Sequence, residues 1–132
     1  MDVKDSQVRI TILLENRARD GLLSEHGVSF WIEADGMKLL LDTGQSDAFA
    51  RNAEALGINL EDADALILSH GHSDHSGGLA AVLPKMKSPI VYLHPAALLE
   101  RYSAASAVRL TIRKPDAVPA AHAAFVRVER SR

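Results

Sequence analysis

Three of the chain's six histidines fall within the six positions 70 to 75, in the run Ser69-His70-Gly71-His72-Ser73-Asp74-His75-Ser76-Gly77-Gly78. Neutral imidazole nitrogen and carboxylate oxygen are the donors that suit zinc, iron or manganese, so His70, His72, Asp74 and His75 form a candidate metal-ligand set. An ion held in this way lowers the pKa of bound water to about 7 and so supplies a nucleophile for a carbonyl or phosphoryl centre. The bland alternative is a polar surface loop rich in histidine. The setting favours metal, because the loop follows the apolar run Ala65-Leu66-Ile67-Leu68 and precedes a glycine pair. That is the carboxyl end of a strand, where α/β proteins place their chemistry. The chain has no cysteine, which excludes thiolate ligands and disulfides.

The elements that must position this loop are readable in order. Val8 to Leu14 is β-branched and apolar and predicts a strand, as does Val28 to Ile32. Asp35-Gly36 is a two-residue hairpin turn leading into Lys38-Leu39-Leu40-Leu41, a strand apolar on both faces and therefore central. The opening of the sheet is thus expected to be antiparallel. The third strand ends in Asp42-Thr43-Gly44, where the acid either lines a site or closes the turn through its own side chain. Ser46 is the expected N-cap of a helix from Asp47 to Leu56, with an acidic residue in its first turn and Gly57 beyond its end. Ala65 to Leu68 is a buried strand, and Leu79 to Lys87 starts a helix that Pro84 shortens or kinks. Pro89 to Leu93 is a further strand and Ala96 to Tyr102 a short helix. Val108 to Ile112 and Phe125 to Val128 alternate apolar with polar and each fits an edge strand. Strands alternating with helices over residues 38 to 102 indicate an α/β layer.

A chain of 132 residues, 47% hydrophobic and 24% charged, is long enough to bury one core and has the composition of an ordinary globular domain. A net charge of −2 gives no electrostatic reason to expect nucleic acid or an anionic membrane as partner. The start, Met1 to Ser6, is charged and lacks the apolar core of a signal peptide, and no stretch approaches membrane-spanning length, so a cytoplasmic location is expected.

His70-x-His72-x-Asp74-His75, with Asp42-Thr43-Gly44 before it, resembles the metallo-β-lactamase superfamily. Together with Glu25-His26-Gly27-Val28-Ser29 and Leu41-Asp42-Thr43-Gly44-Gln45-Ser46, it is similar to the branch that contains the dihydropterin ribofuranosyl-aminobenzene phosphate synthases. The resemblance runs from about Val8 to Tyr102. It implies an αββα sandwich with one or two metal ions at a sheet edge, zinc first, with iron or manganese as alternatives. By the family pattern His70 and His72 would ligate one ion, Asp74 and His75 a second, and Asp42 would stand just behind the ligands. Asp74 would also orient the metal-activated hydroxide.

The implied function is metal-dependent hydrolysis of an ester or phosphoester in a small-molecule substrate, or a related transfer. Family members run to about twice this length, and the third histidine, bridging aspartate and last histidine of their second half have no counterpart here. His94 precedes a proline at a turn, His122 lies in an alanine-rich stretch, and His26 at the start of a strand fits lining a pocket or supporting the fold equally well. Residues 1–102 are accordingly expected to form the N-terminal half of a metallo-β-lactamase-like domain, with 103–132 a tail of undefined structure. The alternative function is a truncated, non-catalytic metal-binding remnant, or a half-module needing a partner chain. Either a homo-oligomer or a complementing chain would cover the apolar strands.

Overall fold

In the computed structural model, which describes residues 7–87, 90–93 and the strands at 101–103, 110–112 and 126–128, the leading apolar run becomes β1 (Val8–Leu14). It pairs antiparallel with β2 (Ser29–Ala34), which pairs antiparallel with β3 (Met37–Leu41). Asp35 and Gly36 close the second hairpin with φ of +50° and +79°, the left-handed pair whose twist matches the flanking strands. From β3 onward the pairing is parallel. Helix α1 (Ala48–Ala55) crosses over to β4 (Ala65–Ile67), and α2 (Ser73–Ser76) and α3 (Leu79–Val82) lead on to β5 (Val91–Leu93). Strands β6 (Arg101–Ser103) and β7 (Leu110–Ile112) form a separate antiparallel pair, and β8 (Val126–Val128) adds to the main sheet parallel to β5. The main sheet therefore runs β1-β2-β3-β4-β5-β8.

Most expected elements are present, with small differences that have local causes. Pro84 ends α3 early and sits in a 3-10 turn, Leu83–Lys85. Helix α1 begins at Ala48, so Asp47 precedes the first turn and its side chain caps nothing; the Ser46 hydroxyl instead accepts from the Ala48 N–H at 3.3 Å. The helix expected over 96 to 102 needs correction. Its first five positions lie outside the described residues, but Arg101 and Tyr102 are extended and pair with Ile112 and Thr111. Tyrosine, threonine and isoleucine all favour the pleated ladder over a helix end.

Register assigns the two faces of the sheet. On one face Trp31, Leu40, Leu66 and Val91 line up across four strands and are buried, beneath Phe49 and Ala53 of α1 and Leu79 and Val82 of α3. Each such side chain removed from water contributes roughly 1.5–3 kcal/mol. On the other face Ile12, Phe30, Leu41, Ile67 and Tyr92 make a continuous row across the same strands. Within the single chain this second face is the less covered one: Leu39, Leu41 and Ile67 on β3 and β4 are half-buried, and Ile10 and Ile12 on β1 are 61% and 49% exposed.

Candidate metal centre

Asp42 follows the last residue of β3, the strand at which the sheet passes from antiparallel to parallel. Its backbone N–H continues the ladder to the Ile67 carbonyl at 2.9 Å, and its own carbonyl accepts from the Ser29 hydroxyl at 2.8 Å. Its φ is +58°, a conformation that aspartate and asparagine tolerate better than other side-chain-bearing residues. This turns the carboxylate, 3% exposed as a residue, beneath the histidine loop. There Oδ1 accepts from the Ser69 N–H at 2.8 Å, while Oδ2 accepts from the Ser69 hydroxyl at 2.6 Å and from His75 Nδ1 at 2.8 Å.

Counting hydrogens then fixes both neighbouring imidazoles. Ser69 has one hydroxyl hydrogen, and the short contact to an ionised carboxylate claims it. The Ser69 oxygen is also 2.8 Å from His70 Nδ1, so in that pair the histidine donates. His75 likewise donates from Nδ1 to Asp42. When such a ring is neutral, its Nε2 is left with a bare lone pair, the form that binds metal. Burial, followed by the neighbouring His75 and His72, holds His70 below the ordinary imidazole pKa, against opposing pulls from Asp42 and Asp74. A lowered value keeps the ring neutral.

His70, Asp74 and His75 each offer a ligand atom within 4.8 Å of the other two. His75 Nε2 and Asp74 Oδ2 face each other at 3.5 Å, and with the ring neutral and its hydrogen on Nδ1 neither has a hydrogen to give. A four-coordinate ion with bonds of about 2.0–2.2 Å spaces its ligands by roughly 3.3–3.6 Å. Two acceptors so placed fit an intervening cation. His72, the remaining candidate, is exposed and outside that trio; its ring stands edge-on to His70 with centroids 4.7 Å apart. His94 and His122 lie outside the described residues.

The sequence reading missed two groups that build this floor. One is Ser69, whose proton links Asp42 to His70. The other is Glu25, whose carboxylate accepts from the Gln45 and Ser46 N–H groups at 2.9 and 3.1 Å and from the Ser46 hydroxyl at 2.6 Å. It thereby ties the β1–β2 loop to the start of α1. Its place in the Glu25-His26-Gly27 motif was the available signal. Thr43 completes the floor, its N–H and hydroxyl both donating to the His75 carbonyl at 2.8 and 3.0 Å.

Replacing Asp42 should separate orientation from backbone strain. Asp42→Asn keeps a side chain that tolerates positive φ but leaves Ser69 and His75 without a charged acceptor, and should weaken metal binding ~10–100-fold. Asp42→Ala should lose about 1–2 kcal/mol of stability in addition, from the left-handed backbone alone. Metal titration calorimetry and urea melts of both variants measure this. Unchanged metal affinity in the two variants would reduce Asp42 to a turn residue.

Residues 25–125 match the metallo-β-lactamase superfamily, and the chain belongs to it. The match runs beyond Tyr102, where the motif-based resemblance ends. The chain is 35% identical over 95 residues to an uncharacterised protein of Methanocaldococcus jannaschii, a match covering 71% of this chain and 37% of that protein. It is 35% identical over 100 residues to the 7,8-dihydropterin-6-methyl-4-(β-D-ribofuranosyl)-aminobenzene-5'-phosphate synthase of the same organism, covering 70% of this chain and 34% of the synthase. Among solved structures, Tm1679, a metal-dependent hydrolase of the β-lactamase superfamily, superposes with a TM-score of 0.66 at 28% identity. That alignment covers 96% of this chain and 43% of Tm1679. The fold is thus of the metallo-β-lactamase type, and the chain spans little more than a third of the length of these curated relatives. Among the described residues no helix is long and apolar enough to cross a membrane.

Proposed function

We propose that His70, Asp74 and His75 hold a divalent ion, zinc or else iron or manganese, with His72 beside them as a further donor. When bound, such an ion supplies an activated water able to attack an ester or phosphoester in a small molecule. The protein's own contribution is orientation. Asp42 and Ser69 hold two imidazoles in the metal-binding tautomer, and Asp74 sets a charged oxygen at the same point. The observation that supports this reading most is the convergence of ligand atoms from His70, Asp74 and His75 within 4.8 Å of one another, with His75 Nε2 3.5 Å from Asp74 Oδ2. Three protein ligands are also the usual number around a catalytic zinc. The metal-dependent hydrolases among its relatives support the same activity, and a non-catalytic remnant is not favoured by them.

The test is calorimetric titration of metal-free protein with zinc, manganese and iron(II), followed by phosphodiesterase and lactonase assays of the loaded protein. Saturable binding at micromolar metal, with turnover that chelation removes, is the expected result. Protein that takes up none of the three would end the metal reading. Metal bound without turnover of either substrate would leave the binding and remove the hydrolysis.

A further inference from the structure

His26 lies outside the histidine motif, on the loop between β1 and β2, yet its Nε2 is 3.2 Å from Asp74 Oδ2. Its side chain is 73% exposed, so burial does not hold it there. The backbone does. The His26 carbonyl accepts from Gln45 Nε2 at 2.7 Å, and the next N–H, that of Gly27, donates to Asn16 Oδ1 at 3.3 Å. The Val28 N–H donates to the Asp74 carbonyl at 3.4 Å. Gly27 packs so closely on that carbonyl that a Cβ would collide with it, at φ +154°. With Glu25 anchored on the start of α1, every residue of the Glu25-His26-Gly27 run is tied to the ligand loop or to its support.

We propose that His26 is a positioning residue for Asp74, donating from Nε2 to the carboxylate and holding it toward the metal. This rests on the reading of His70, Asp74 and His75 as ligands. Among the described residues the imidazoles of His26 and His75 are the side chains paired with the Asp74 carboxylate. His75 in the neutral form that binds metal gives its one hydrogen to Asp42 and turns a lone pair toward Asp74, and His26, at 3.2 Å against 3.5 Å, is then the donor left. A carboxylate oxygen carries two acceptor sites, enough for one ion and one N–H. Metal-ligating carboxylates are regularly held by such outer hydrogen bonds. His26 is not among the trio whose ligand atoms converge, which separates its role from ligation.

The experiment is zinc titration of the 132-residue chain as wild type, His26→Ala, His26→Gln and His75→Ala, with urea melts of the metal-free forms. His26→Ala should bind zinc ~10-fold more weakly, the lower end of the range for outer partners because the imidazole is exposed. Its metal-free melt should match wild type, and His26→Gln, which retains an N–H donor, should recover part of the affinity. Equal affinity in His26→Ala and wild type would overturn the proposal while leaving the metal centre intact. Loss as complete as in His75→Ala would also overturn it, by making His26 a ligand. Failure of the wild type to bind zinc, iron or manganese would remove the centre and this role together.

Discussion

His75→Ala is expected to abolish metal binding at micromolar concentrations, a loss beyond the ~100-fold that removing an outer partner causes. The imidazole acts twice. The ring is one of three converging ligand groups, with Nε2 3.5 Å from Asp74 Oδ2, and its Nδ1 is one of three donors to the buried Asp42 carboxylate. Truncation therefore also leaves a buried acceptor short of a partner, so the metal-free protein should lose about 1–3 kcal/mol. Calorimetry with zinc and a urea melt of the same preparation read the two effects separately. His75→Ala that still binds zinc as tightly as wild type would show that the ligands converge elsewhere.

Gly78→Ala should produce the second large effect, through packing alone. A Cβ there would lie 2.6 Å from both the Thr43 and the Ser46 carbonyl oxygens and would run into the Phe49 ring. The Gly78 N–H also donates to the Thr43 hydroxyl at 3.0 Å and to the Gly44 carbonyl at 3.2 Å, which leaves the peptide little freedom to retreat. Thr43 in turn is fastened to His75. Overpacking of this kind costs roughly 1–3 kcal/mol, or about 3–12 °C in melting temperature for a domain of this size. Because the strain is passed to the histidine loop, zinc affinity should fall with it. A Gly78→Ala protein melting within about a degree of wild type would mean that the turn repacks freely.

What was legible in the sequence is what is written locally. His70 to His75 declare a donor set by residue type and spacing, Asp35-Gly36 declares a hairpin, and Pro84 declares a helix end. The parallel crossovers follow from apolar tetrads alternating with helical stretches. The contacts that make the donor set usable join distant segments: Asp42 with Ser69 and His75, Glu25 with Ser46, His26 with Asp74. Serine and glutamate are common residues, and nothing in their immediate neighbours reveals which strand end they will meet. The missed extension at Arg101 and Tyr102 has the same origin. The preceding Ala96-Ala97-Leu98-Leu99-Glu100 favours a helix locally, whereas the partner strand that makes Arg101–Ser103 extended begins only at Leu110.

The three converging ligands all fall between residues 70 and 75, so the unfolded chain carries the same donors almost in contact. A ligand that binds only the native state at a hundred times its dissociation constant adds about 2.7 kcal/mol of stability, and any affinity for the unfolded chain subtracts from that. Here the subtraction is built into the covalent order. The distant contacts are what distinguish folded from unfolded in the eyes of a metal: Asp42 holding one ring directly and the other through Ser69, and His26 beside Asp74. Zinc should therefore raise the melting temperature by less than its affinity for the native protein would give. The ion would be a passenger that the fold aligns more than a rivet that holds the fold.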